Sequence, residues 1–198
     1  MLKLGLTGSI ATGKSTVLAH IAKQGIPTFS SDEAVHRLYE GAAVAPIEAL
    51  FPGIVHDGRV DRARLSARLL EAPGRLAELE AVVHPLVRAE ILQFFARSEA
   101  DGAWAAVADV PLLYERGFDY GLDAVIVTAV DEMTQRQRVL ARPGMSVEKL
   151  NAILARQLGQ DEKKARADHV IDTGGSIDDT HRAVDALLQR LKANQGRQ

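Results

Sequence analysis

The chain opens on an apolar run at residues 2–7, too short for a buried helix, which predicts a buried strand. A Gly-rich turn follows at once, and then a helix over about 14–24. Val17, Leu18, Ile21 and Ala22 give that helix one apolar face, and Gly25 supplies its stop. Residues 26–29 predict a second short strand that ends where Ser30-Ser31-Asp32 begins. The middle of the chain has helical spacing over 61–71, 75–83 and 85–97, with breaks expected at Pro73-Gly74 and His84-Pro85. Residues 104–110 predict a third strand with Asp109 at its C-terminal end, and 124–128 a fourth. A helix over 131–140 is broken at Arg142-Pro143-Gly144, and another is expected over 147–158. His169–Asp172 predicts a fifth strand and 177–192 a closing helix, with 194–198 expected to fray.

Short strands alternating with helices predict an α/β domain built on a mainly parallel sheet. In such sheets ligands bind beyond the carboxyl ends of the strands, so the loops after strands one, two and three are the places to search. The 198 residues suit one domain with small inserted lobes, and no repeat, low-complexity tract or long linker appears. Lys plus Arg number 24 against 26 Asp plus Glu, a formal charge of -2, which argues against a mainly electrostatic nucleic-acid binder. The aromatic residues are not interleaved with basic ones as single-strand binding favours. With no cysteine, thiolate catalysis, disulfides and thiolate metal sites are excluded. No apolar run reaches membrane-spanning length, and the start turns to Gly, Thr and Ser too early for a signal peptide. A cytoplasmic location is the expectation, with no membrane and no obligatory protein partner.

The first candidate chemistry is Gly8-Ser9-Ile10-Ala11-Thr12-Gly13-Lys14-Ser15, which fits G-x-x-x-x-G-K-[ST]. A random chain of this length matches about once in a hundred, and here the expected strand and helix flank the match. The glycines permit tight backbone geometry, and successive N–H groups form an anion nest at a helix N-terminus. Lys14 can bridge the β- and γ-phosphates of a nucleotide, and the Ser15 hydroxyl can ligate Mg²⁺. The nucleotide-binding set is therefore Gly8, Ser9, Ile10, Ala11, Thr12, Gly13, Lys14, Ser15 and Thr16.

Asp109, at a strand end, reads as a second magnesium group or as a turn residue. Asp32 reads equally as an N-cap for a helix over 33–39 and as a carboxylate that positions an acceptor hydroxyl; the two roles are compatible. Arg138 and Arg142, four apart, share a helix face if the helix persists, and with Arg156 could close over a triphosphate as a lid. The alternative is a solvated basic face, and that is the expectation for Lys163 and Lys164. His84, four residues before Arg88, could contact an acceptor or pack at a helix end. None of the six histidines has zinc-site spacing. These residues describe a P-loop nucleotide-binding domain with a helical insertion and an arginine lid. A small-molecule kinase is the better reading; a GTPase is disfavoured because no Asn/Thr-Lys-x-Asp stretch is present. Another small-molecule kinase, for nucleosides or nucleotides, and a non-enzymatic nucleotide switch remain alternatives.

A narrower resemblance runs through the chain. Gly5 to Ser15, Asp32, Val83-His84-Pro85 and Asp109-Val110-Pro111-Leu112-Leu113-Tyr114-Glu115 resemble the dephospho-coenzyme A kinases. So do Gln135-x-x-Arg138, Arg142, Ala155-Arg156-Gln157 and the stretch from Ala167 to Asp172. The resemblance implies a three-layer P-loop fold with a parallel five-stranded sheet, a helical acceptor-binding region at about 55–100 and a lid at about 138–160. It implies ATP as donor with Mg²⁺, and 3'-dephospho-coenzyme A as acceptor, phosphorylated on its ribose 3'-hydroxyl. It makes Asp32 the general base or hydroxyl-positioning group and Arg138 and Arg142 lid arginines near ATP. His84, Arg88, Leu112, Leu113, Glu115 and Arg156 become acceptor-side residues. One departure stands out: the family's usual first acid in Asp-x-Asp after strand two is Ser30 here.

Overall fold

The computed structural model of the protein describes residues 1–196. It divides into two compact units: Met1–Phe29 with the chain from Arg97 onward, and Ser30–Ala96. In chain order, β1 (Leu2–Gly8) leads through the Gly-rich turn to α1 (Lys14–Lys23) and β2 (Thr28–Ser30). Next come α2 (Ser31–Leu38), α3 (Val44–Leu50), β3 (Val55–His56), β4 (Arg59–Val60), α4 (Arg62–Glu71) and α5 (Leu76–Ala100). β5 (Ala105–Asp109), α6 (Leu113–Arg116), β6 (Ala124–Ala129) and α7 (Glu132–Leu140) follow. The last elements are α8 (Val147–Leu154), α9 (Gln160–Arg166), β7 (His169–Asp172) and α10 (Ile177–Gln195).

The main sheet has five strands in the order β2-β5-β1-β6-β7. β1 pairs in parallel with β5 and β6, and β7 in parallel with β6. Strands covered on both faces read as continuous apolar runs, and every residue of β5 is buried. Leu4, Leu6, Val107, Ile126 and Ile171 meet Val17 and Ile21 of α1 and Val184, Leu187 and Leu188 of α10 in one core cluster. Each such side chain contributes about 1.5–3 kcal/mol on burial. The register sets Leu6 opposite Asp109 and Gly8 opposite Thr128. The end of β1 therefore carries the Gly-rich turn to the same carboxyl end of the sheet as Asp109 and Thr128. No helix among the described residues is long and apolar enough to cross a membrane.

α5 runs unbroken through Pro85, where a break was expected. Proline removes one helical hydrogen bond, but Leu79, Val83, Val87, Ile91 and Phe95 are all buried at a spacing of four, a stripe that crosses the proline. Packing of that stripe holds the helix. Asp57-Gly58, both at positive φ, turn the β3–β4 hairpin, an element absent from the sequence reading though Asp-Gly is its usual signal.

Three further boundaries differ. β2 starts at Thr28 rather than 26, because Pro27 has no N–H; its carbonyl still accepts from Val107 N at 2.9 Å. The helix expected over 147–158 stops at Leu154, and a separate α9 begins after Gly159. The last turn tightens, with Arg156 N–H donating to Ile153 O and Gln157 N–H to Leu154 O, each at 3.1 Å, and Leu158 N–H beyond it donates to the Glu115 carboxylate at 2.9 Å. α10 continues through Asn194 and Gln195, where fraying was expected; residues 197 and 198 lie outside the described residues.

Candidate active site

The Gly-rich turn is shaped by its neighbours. A Cβ on Gly8 would lie 2.2 Å from Thr128 Oγ1 and 2.6 Å from Thr12 Oγ1, so only glycine fits. Thr12 Oγ1 donates to Ser9 O at 2.9 Å and lies 2.8 Å from Thr128 Oγ1. Thr173, just past β7, donates its hydroxyl to Thr12 O at 3.0 Å and packs where a Cβ on Gly13 would sit. Gly13 (φ 78) is the left-handed N-cap of α1, and Ala11 (φ 60) is also left-handed. No side chain caps α1 and its first turn holds no acid. The first N–H groups of a helix lack intrahelical partners, so this terminus suits an anion.

Lys14 Nζ sits 2.7 and 2.8 Å from the two Asp109 oxygens. The side chains are 15% and 6% exposed, so the pair is largely desolvated and its attraction correspondingly strong. Ser15 and Thr16 are exposed. Arg138 is docked beside the turn, donating to Thr173 O at 2.7 Å and to Thr173 Oγ1 at 3.2 Å. Arg142 does not share its helix face, because α7 ends at Leu140 and Arg142 lies exposed beyond it. Arg156 is exposed between α8 and α9.

Glu115 and Lys163 differ most from the sequence reading. Lys163, expected on a solvated face, is fully buried, with Nζ 2.8 Å from Glu115 Oε1. The contact lies off the hydrogen-bond direction, and the buried Oε2 has no hydrogen-bond partner among the described residues. Glu115 thus spends its charge inside the protein, tying α6 to α9 and, through Leu158 N, to the segment between α8 and α9. Next to it, Tyr114 donates to Arg166 O at 3.0 Å, and burial is the main cause raising its phenol above the usual value. Leu113 is buried and Leu112 half-buried on the same segment.

The second unit holds Asp32, His84 and Arg88. Ser30 is the N-cap of α2, its hydroxyl accepting from Glu33 N at 3.3 Å. That resolves the capping alternative against Asp32, which lies exposed in the first turn of α2 with its carboxylate not needed as the cap. It also gives Ser30 a job: serine and aspartate are equally good caps. Because α5 is unbroken, His84 and Arg88 stand one turn apart on one face, both half-buried. The residues that sequence reasoning left without a role are Thr128, Thr173, Gln135, Gln157 and Gln160. Thr128, the polar residue near the end of an otherwise apolar strand, carried the clearest signal.

A family model described as dephospho-CoA kinase matches residues 2–179. A Rhizobium meliloti (strain 1021) protein named dephospho-CoA kinase is 50% identical over 193 residues, 98% of this chain and 100% of that one. A crystal structure of a Thermus thermophilus protein superposes with a TM-score of 0.79 at 36% identity, covering 96% of this chain and 97% of the other. A dephospho-CoA kinase from Campylobacter jejuni shares the fold, with a TM-score of 0.69 at 24% identity over 95% and 96% of the two chains.

Proposed function

The chain belongs to the dephospho-CoA kinase family, and from that membership we propose that it transfers the γ-phosphoryl group of ATP to the ribose 3'-hydroxyl of 3'-dephospho-coenzyme A, giving coenzyme A and ADP. The observation that carries the chemistry is the uncapped, acid-free N-terminus of α1 with Lys14 and Asp109 beside it. Within the stretch from Gly8 to Thr16, backbone N–H groups other than those of Ile10 and Thr12, which are bonded inside the protein, cradle the polyphosphate, and Lys14 directs its ammonium at the group transferred. Ser15 and Asp109 would supply oxygen donors of the kind Mg²⁺ takes, and so few protein donors fit an ion that is also held by phosphate oxygens and waters. Bound there, Mg²⁺ supplies positive charge against the phosphate oxygens.

Asp32 orients the acceptor hydroxyl and takes its proton as the bond to phosphorus forms and the bond to the ADP oxygen breaks. The transition state is loose, so a modestly basic carboxylate suffices. Arg138 and Arg142 offset charge on the transferring group, with about 138–160 as the lid and Arg156 on its far arm. His84 and Arg88, in the acceptor region of about 55–100, are acceptor-side residues, as are Leu112 and Leu113. Glu115 serves the segment carrying that leucine pair by anchoring it to Lys163. Donor and acceptor are both small and soluble, which goes with a cytoplasmic location and no required protein partner. An ADP-release assay with dephospho-coenzyme A, shikimate and nucleosides as alternative acceptors tests the assignment. Release that depends on dephospho-coenzyme A alone supports it; equal release with another acceptor overturns it.

A further inference from the structure

Both backbone polar groups of one residue in the Gly-rich turn are held by glutamine side chains from outside it. Ile10 N–H donates to Gln157 Oε1 at 3.1 Å, and Ile10 O accepts from Gln135 Nε2 at 2.8 Å. Gln157 follows α8, whereas Gln135 is a buried residue of α7. Behind Gln135 stands Gln160, whose Nε2 donates to Gln135 Oε1 at 3.0 Å and whose Oε1 accepts from Val130 N at 3.1 Å.

The direction of this chain is fixed at both ends. Val130 N–H only donates and Ile10 C=O only accepts, so each amide between them has one orientation. Gln160 therefore presents its NH₂ to Gln135, and Gln135 presents its NH₂ to Ile10. In a planar trans peptide the C=O and N–H point opposite ways. Holding the Ile10 carbonyl outward toward Gln135 turns the Ala11 N–H the other way. Ala11 is the non-glycine residue held at φ 60 in the turn, a conformation that persists only when neighbours over-determine it.

We propose that Gln135 and Gln157 are positioning residues that preset the Gly-rich turn for phosphate. Gln135 sets the Ile10–Ala11 peptide, Gln157 sets the peptide before it, and Gln160 orients Gln135. The inference rests on the nucleotide-binding reading of the turn. It assigns the glutamines a role in donor binding and none in acceptor binding.

The test compares ADP binding by calorimetry in full-length wild type, Q135E and Q157E, with thermal unfolding of each. The two substitutions are isosteric and add the same charge beside the same residue. Q157E keeps the acceptor that Ile10 N–H needs, whereas ionised Q135E replaces a donor with an acceptor facing a carbonyl. ADP affinity is expected to be about tenfold lower in Q135E than in Q157E, the effect of one lost hydrogen bond. The gap should close as pH falls, because a protonated carboxyl donates again. Equal affinities in two folded variants overturn the proposal. If Q135E does not fold, Q160M reads the same chain: weaker ADP binding with an unchanged KM for the acceptor supports it, and unchanged ADP binding overturns it. Failure of wild type to bind ADP would instead remove the nucleotide reading itself.

Discussion

At the scale of single residues, burial decides which charges are free to act. Glu115 carries 9% side-chain exposure and Lys163 none, so each is the other's principal compensation. Truncating one partner of a buried pair strands the other charge, which costs about 3–5 kcal/mol. Glu115→Ala is therefore expected to lower stability by that amount, and the double replacement Glu115→Leu with Lys163→Met to recover most of it. Chemical unfolding of the three proteins checks this, and a double variant as unstable as Glu115→Ala would contradict it. Asp32 is the opposite case, exposed and not used as a cap. Asp32→Asn should reduce turnover at least about a hundredfold while ATP affinity stays within about twofold. Near-normal turnover would remove Asp32 from the chemistry.

At the scale of elements, helix termini carry much of the design. Asp131 caps α7 by accepting from Thr134 N at 2.9 Å, and Asp179 completes a capping box with Ser176 at the start of α10. Hydrogen bonds from the Thr134 side chain hold Asp131 below the usual carboxylate range, and those from the Ser176 side chain do the same for Asp179. A lowered folded-state pKa gives stability that is present above the unfolded carboxylate range and lost as pH falls through the folded value. The unfolding midpoint should hold steady down to about pH 5 and fall below about pH 4. Asp131→Asn with Asp179→Asn should make that acid limb shallower; an unchanged limb would show that other groups set it.

Element existence was largely legible in the sequence, and the misses have physical causes. The five strands of the main sheet follow from short apolar runs, and the Gly-rich turn from its spacing. Pro85 misled because a local rule was set against the buried stripe at 79, 83, 87, 91 and 95, which outweighs it. The break between α8 and α9 was not legible, since one of the bonds that hold it, from Leu158 N–H to Glu115, joins residues distant in sequence. Lys163 was misread for the same reason: its partner lies 48 positions away (163 minus 115), beyond any local pattern. Of the candidate site, the Gly-rich turn was legible from its spacing and Asp109 from its place at a strand end, and strand register brings both to one end of the sheet. The glutamines at Ile10 were legible only as matches to a family pattern, with no role attached.

At the scale of the whole molecule, the near-balanced charge of -2 accompanies a positive, uncapped helix terminus with Lys14 and Arg138 beside the same turn. With no cysteine in the chain, the proposed chemistry rests on Lys, Ser, Asp and Arg with a metal ion. The measurement that tests this most directly is identification of the product. The full chain is incubated with ATP, Mg²⁺ and 3'-dephospho-coenzyme A; ADP is followed by coupled assay, and the product is compared by mass and retention with authentic coenzyme A. The account predicts ADP and coenzyme A in equal amounts, with ADP release abolished when the acceptor is left out. ADP release indifferent to the acceptor, or a phosphorylated product other than coenzyme A, would contradict it.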